Sequence, residues 1–466
     1  MAGHRKRLRF DQPLFSYPNS SSATNHTEEH LFIFTSLFGN QGHISYFCAM
    51  KERILVSGCQ DEGKGYDTQL LYFTCSSLSH DDRRLYLISD RDGHPNVFVK
   101  DIASGEERQL THNHNGILKS YVYFDGNPGK GLGKASVCLD CQRDIIYFIQ
   151  DDYICKVGLD GVVRCLNKIT DGRMTAFTHV SSDGRLLCVP MTDGRILDYD
   201  PNTEGYGLDK RPIYNIDGRV QEERLNSYLC VFDTTTGALV YEKVVPLCWI
   251  THVQFNPIDP EVIMFNHEWP SFDCGIRRIW LYDHHKDEVR RVRHEGTDTL
   301  GNSHGYARRA ADWVCHEMWS DDGEVIIYHG GYADGPAMVG KYELKSNHYW
   351  EIALPEEYKA YGHFTMDHQQ NLCCDGYFKF PDDIKVVREN STDNGPDPHK
   401  KDGEYISRVV PHWEEGTLDW IPLCKHHSDW LGQDAHPHPI YNHTGNAIYF
   451  NSRSKKYVKV YAVKWK

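Results

Sequence analysis

The sequence predicts an all-β fold, a seven-bladed β-propeller formed as one domain. Three observations carry this expectation. A turn phrase recurs seven times, helical periodicity is hard to find anywhere, and two polar, turn-rich stretches interrupt the repeat as insertions. Each phrase is a polar turn rich in Asp, Asn and Gly, followed by a short run of mostly apolar residues. The first is Ser79-His80-Asp81-Asp82 ahead of Leu85-Tyr86-Leu87-Ile88. The turn at 140–143 precedes an apolar run at 145–148, and the turn at 181–184 precedes 186–189. The turns at 256–259 and 320–323 precede runs at 262–265 and 325–328. The turn at 367–370 precedes Leu372, and that at 442–445 precedes 447–450.

Asp, Asn and Gly tolerate the backbone angles of tight hairpins, so each phrase reads as the turn between two antiparallel strands. Several phrases lead into a third strand and a second turn, as at 97–101 with Ser104-Gly105 and at 228–233 with Thr236-Gly237. One small sheet per repeat gives seven four-stranded blades around one axis. The propeller is expected to span 28–466, with insertions near 200–223 and 390–404. Residues 1–27 read as a disordered N-terminal extension.

The formal net charge is −14, which argues against nucleic acid or an anionic membrane as partner. An anionic substrate would need a local cluster of cations to override that field. The 15 cysteines are odd in number and scattered. Cys138 and Cys141 form a CxxC without a matching second pair, so a zinc ribbon is not expected. Reduced cysteines, no apolar run in the first 17 residues and no membrane-length segment point to a cytoplasmic protein. Oligomeric state is not readable from the chain.

The chemistry concentrates in histidine. Of the 27 histidines, His179, His252, His316, His363, His436 and His438 fall a few residues before a repeat turn or on a first strand. The innermost strands of a propeller line its axis, so equivalent positions on successive blades converge. His436 and His438 are two apart and share a face of an extended strand. Flanking prolines stiffen that run, and Gln433 can add an oxygen ligand. Imidazole and amide oxygen suit a borderline divalent ion such as Mn²⁺, Zn²⁺ or Fe²⁺. Arg277 and Arg278 point to opposite faces of a strand, so one can reach a site while the other meets solvent. A propeller alone carries no function, and a non-catalytic binding scaffold explains the repeats equally well.

Several segments go further. His316-Glu317-Met318-Trp319, Arg278-Ile279-Trp280-Leu281, Asn266-His267-Glu268 before Trp269-Pro270, and Leu423-Cys424-Lys425-His426 occur in one order, and Gln433-x-x-His436-Pro437-His438-Pro439 follows them. At these residues the sequence resembles the oligogalacturonate lyases, propeller-fold pectate lyases that degrade short pectin fragments. The resemblance runs from about Leu70 to the C-terminus and is clearest from His252 onward. It implies a divalent metal, Mn²⁺ first and Zn²⁺ or Fe²⁺ next, held by His363, Gln433, His436 and His438. It places the catalytic base at His316 and the substrate-binding arginine at Arg278, with His252 and His267 also lining the substrate site. Gly432 stands where the family tends to have arginine, and residues up to about 68 do not align.

The implied reaction is β-elimination on an acidic, uronate-containing oligosaccharide, leaving a 4,5-unsaturated uronate end. The C5 proton of a uronate is very weakly acidic, so charge developing on the carboxylate must be met by a metal and an arginine. A neutral imidazole can take the proton near neutral pH. A lyase of the same mechanism acting on an algal or plant-gum uronate is the main competitor. A hydrolase is less supported: no G-x-S-x-G elbow is present and no carboxylate pair can be named.

Overall fold

The computed structural model describes residues 47–59, 65–115, 132, 136–169, 172–197, 220, 223–268, 278–292, 313–332, 336–355, 362–379, 385–388, 403–430 and 435–465. Seven small antiparallel sheets are arranged as seven blades of a propeller. Each of the seven turn phrases sits between the first and second strands of one blade.

Blade 1 holds strands Thr68–Leu70, Arg84–Ser89, Asn96–Asp101 and Glu107–Gln109. Blade 2 holds Cys138–Asp140, Ile145–Gln150, Tyr153–Val157 and Arg164–Lys168. Blade 4 holds Val253–Phe255, Val262–Asn266, Ile279–Asp283 and Glu288–Arg291. Blade 5 holds Trp313–Trp319, Val325–Gly331, Ala337–Glu343 and His348–Ala353.

The expectation of four strands per blade needs adjustment in two places. In blade 3 the inner strand is split into Arg173–Thr175 and His179–Val180, which both pair with Leu186–Asp193; Asn226–Asp233 and Leu239–Pro246 complete that sheet. The break lets Phe177 leave the ladder, and its amide bonds instead to the Thr251 carbonyl of blade 4. Blade 6 holds Thr365–Met366, Leu372–Cys374, Gly403–His412 and Thr417–Lys425, plus a short strand Tyr377–Phe378 at the start of Gly403–His412. A two-stranded parallel sheet also joins Phe47–Met50 to Lys385–Arg388.

Blade 7 shows how the ring closes. Its strands Ile440–Tyr441, Ala447–Ser452 and Lys459–Lys464 come from the C-terminus, and its outer strand Ile54–Ser57 comes from the N-terminal side. The backbone hydrogen bonds of that outer strand tie the two ends of the propeller together.

Seven hydrophobic clusters explain why both faces of the strands are apolar. Among the described residues, six of these clusters fill the wedge between two neighbouring blades, and the seventh joins blades 7 and 1 while also taking in Met174, Ala176, Phe177 and Trp249. Leu85 and Leu87 pack toward Tyr449 and Val460 of blade 7, while Tyr86 and Ile88 pack toward Ile146 and Phe148 of blade 2. Strand alternation therefore sends successive residues into different cores, and both sets must be apolar. The same exchange continues around the ring to the blade 6–blade 7 cluster of Ile406, Leu423, Ile448 and Phe450.

The expected extension over 1–27 lies outside the described residues, as do most of the two expected insertions. No helix among the described residues is long and apolar enough to cross a membrane. The described cysteines are free thiols, most of them buried.

Candidate metal centre and base

Blades 4 to 7 each deliver site residues to the centre. His363 immediately precedes the inner strand of blade 6, and His436 and His438 precede that of blade 7. Their ligand atoms all lie within 4.8 Å of one another. The Nε2 of His363 is 3.3 Å from the Nδ1 of His436. Two nitrogens bound to one ion at about 2.0–2.1 Å should sit roughly 2.9–3.4 Å apart, so this spacing fits a shared metal. The fourth expected ligand, Gln433, lies outside the described residues.

Asp375 fixes this arrangement. Its Oδ2 is 2.8 Å from the Nδ1 of His363, and its Oδ1 accepts the His363 amide at 2.6 Å. Oδ2 also accepts the His438 amide at 3.3 Å. Burial alone would raise the Asp375 pKa, but His363 beside it holds the carboxyl below its ordinary value. The carboxylate therefore takes the Nδ1 hydrogen of His363 and turns Nε2 toward the other imidazoles, the arrangement that metal-binding histidines use. Backbone strain marks the same place. His438 has φ of 44°, in the left-handed region that residues with a Cβ rarely occupy.

Asp375 was not singled out from the sequence, although a signal existed. Thr365 pairs with Cys373 in the blade 6 hairpin, which places residue 375 directly opposite residue 363. Asp375→Asn should weaken metal binding by about 10–100-fold, as measured by titration with Mn²⁺. An unchanged affinity would show that the carboxylate does not orient His363.

His316 lies on the inner strand of blade 5, where the register slips between Cys315 and Met318. The slip is a β-bulge, and His316 sits in it with φ of 54°. Bulges re-aim side chains next to functional sites. Here the His316 ring comes within 4.7 Å of the His363 ring, centroid to centroid, and meets the Phe73 ring edge-on at 5.0 Å. Burial, with the neighbouring His363 and His329, holds its pKa well below the ordinary imidazole value. His316 is thus neutral and able to accept a proton. A second cluster surrounds it. Cys315 Sγ lies 3.1 Å from His329 Nε2, and His316 Nδ1 lies 2.5 Å from the same nitrogen.

Arg278 is buried at the start of the third strand of blade 4. Its Nε donates to Glu317 Oε2 at 3.0 Å, and its Nη1 donates to Glu268 Oε2 at 3.1 Å. Its Nη2 lies 3.2 Å from His252 Nδ1. The same ring nitrogen is also 3.6 Å from Glu317 Oε1, so His252 stands between the guanidinium and its carboxylate partner. Burial opposes ionisation of Glu317, but Arg278 holds its pKa down at about 2. Glu268 is further held by Thr251 and Asn266. Two buried carboxylates therefore already meet the charge of Arg278. Arg277 lies outside the described residues.

His267 is placed differently from the other expected substrate residues. It is buried, and its Nε2 donates to the Leu247 carbonyl at 3.0 Å. The ring bonds to backbone there, while His252 packs with the aromatic centre. His179 likewise spends Nδ1 on the Phe255 amide at 3.2 Å.

That centre contains residues the sequence reading passed over. Tyr72 and Phe73 follow the inner strand of blade 1, and both are buried. The Phe73 ring stacks on His438 at 5.6 Å, and Tyr72 lies 5.1 Å from His438 and 5.4 Å from His252. Phe177 stacks on Tyr72 at 3.9 Å. Trp430 stacks on His363 at 5.9 Å and meets His436 edge-on at 5.0 Å. His363, His436, His438, His316 and Arg278 thus share one aromatic-walled centre.

No protein-family profile matches the chain, and no curated protein matches it in sequence. Solved structures do match. An oligogalacturonate lyase in complex with manganese superposes with a TM-score of 0.62 at 17% identity, covering 90% of this chain and 98% of its own. The fold is that of the oligogalacturonate lyases. A second oligogalacturonate lyase, from Vibrio parahaemolyticus, gives a TM-score of 0.59 at 16% identity over 89% of this chain and 98% of that one. At such identities the likeness establishes the propeller and not the activity.

Proposed function

We propose that the protein is a metal-dependent lyase that cleaves uronate-containing oligosaccharides, of the oligogalacturonate kind, by β-elimination. The observation that carries this reading is the convergence of three imidazoles, braced by Asp375, on a neutral histidine that is not one of the three. His363, His436 and His438, with Gln433, would hold the ion. Mn²⁺ is the first choice, in keeping with the manganese named for the lyase of similar fold. When bound, the ion would supply positive charge for the uronate carboxylate.

The chain's own residues do the rest. Arg278, locked between Glu268 and Glu317, presents a guanidinium in a fixed orientation, which costs no reorganisation as charge develops. His316 takes the C5 proton. The C5–H electron pair forms the C4–C5 double bond, and the C4–O4 bond breaks with its pair on the leaving oxygen. The buried aromatics Tyr72, Phe73 and Phe177 limit water at the centre and strengthen each charge interaction there.

The test is a panel of oligogalacturonates, other uronate oligosaccharides and neutral oligosaccharides, followed by ultraviolet absorbance of the unsaturated product. Uronates should yield product only with the metal present, and chelation should abolish it. No product from any uronate with Mn²⁺ supplied would overturn the reading in favour of a binding scaffold.

A further inference from the structure

The second strands of the blades carry a position that no motif assigns. In blades 1, 3, 4, 5, 6 and 7 the amide at the start of the turn bonds to a carbonyl at or beside the start of the second strand, at Arg84, Leu186, Val262, Val325, Asn371 and Ala447. Four residues beyond those carbonyls stand Ile88, Pro190, Asn266, His329, Asp375 and Asn451. Blade 2, aligned by the pairing of Asp140 with Ile145, places Ile149 there. The position is apolar in blades 1 to 3 and polar in blades 4 to 7, the blades that carry the candidate site.

Each polar member braces a centre-facing segment. Asn266 accepts the amides of Thr251 and His252 at 2.9 and 2.8 Å. Asp375 holds His363, as above. Asn451 accepts the Leu70 amide at 2.9 Å, two residues before Tyr72. His329 faces His316.

We propose that His329 is the positioning residue for His316: its Nε2 accepts the His316 Nδ1 hydrogen and so leaves the opposite nitrogen, Nε2 of His316, with the lone pair that acts as base. This rests on the assignment of His316 as the base. An imidazole placed in a strand core loses its hydration, which is tolerated where it gains a specific partner. His329 is buried against Phe364 of the next blade. The 2.5 Å between His316 Nδ1 and His329 Nε2 is too short for two ligands of one ion, which should stand roughly 2.9–3.4 Å apart. It is a direct nitrogen-to-nitrogen hydrogen bond. In this arrangement the trio Cys315, His316 and His329 forms a hydrogen-bonded cluster, although its ligand atoms also lie within 4.8 Å of one another, as a metal site would need. As His316 gains a proton at Nε2, the Nδ1 hydrogen bond becomes charge-assisted and strengthens, with no further bond made or broken.

The experiment compares His329→Leu, which removes the acceptor, with His329→Gln, which restores an acceptor oxygen. Nitrogen-15 histidine NMR on the full chain should show a hydrogen-bonded imidazole proton that disappears in both His316→Asn and His329→Leu. On an oligogalacturonate, His329→Leu should lower kcat by at least about tenfold while KM and Mn²⁺ content stay within about twofold. His329→Gln should recover most of that loss. A proton that persists in His329→Leu overturns the proposal, and so does an unchanged kcat in that variant. Equal losses in both substitutions, or losses that follow metal content, indicate packing alone and also overturn it. A second equivalent of metal that survives His436→Ala would make the trio a metal site. If the proton behaves as expected but the wild-type protein forms no unsaturated product, the lyase reading fails and the His316–His329 pair stands.

Discussion

His436→Ala is expected to release the metal and abolish β-elimination together. His436 supplies one of three converging imidazoles, and its Nδ1 sits 3.3 Å from the Nε2 of His363. Removing an outer partner of a metal ligand typically weakens binding by about 10–100-fold, and removing the ligand itself should do more. The fold should survive, because His436 is only partly buried and belongs to none of the clusters between blades. Metal analysis of the purified variant, beside its unfolding midpoint, checks both halves. Full metal content in His436→Ala would remove this residue from the ligand set.

The fold was largely legible because its signal is local. A hairpin turn is written in four residues, and each of the seven phrases marks a real blade. The closure of the ring was not legible. Ile54–Ser57 pairs with Lys459–Lys464, some four hundred residues away, and a four-residue outer strand has no distinguishing pattern.

The candidate site divides in the same way. His316, His363, His436, His438, Arg278 and His252 were all readable, and the structure brings them to one centre. The residues that tune them were not. Glu268 and Glu317 look like ordinary carboxylates in the sequence until Arg278 is seen between them. Tyr72 and Phe73 read as apolar residues at a strand end, yet they pack against His252, His316 and His438 from three other blades. Only the hairpin register, which puts Asp375 opposite His363 and His329 opposite Cys315, could have predicted such partners in advance. The pair Glu268 and Glu317 also changes how Arg278 should be probed. Truncating it to alanine would strand two buried carboxylates, a loss of the kind that costs about 3–5 kcal/mol, so lost activity could reflect unfolding.

His316→Asn is the sharper test of mechanism. Asparagine keeps a polar side chain in the bulge but has no nitrogen that can take a proton. Asparagine also tolerates the left-handed backbone that His316 adopts at φ of 54°, so the strand should hold its course. General base catalysis contributes about 10²–10⁴-fold, and kcat should fall by that factor. KM should change little, because the base acts in the transition state more than in binding. Metal content should stay full, since His316 is outside the His363, His436 and His438 set. Steady-state kinetics on an oligogalacturonate, with metal analysis of the same sample, separates these outcomes. A variant that keeps more than about a tenth of wild-type kcat lies outside the range for a lost base. His252 would then be the next candidate, because its ring packs against Tyr72 and Phe177 at the centre. His179 would follow it only weakly, since burial lowers its pKa to about 4 and its Nδ1 is already committed to the Phe255 amide.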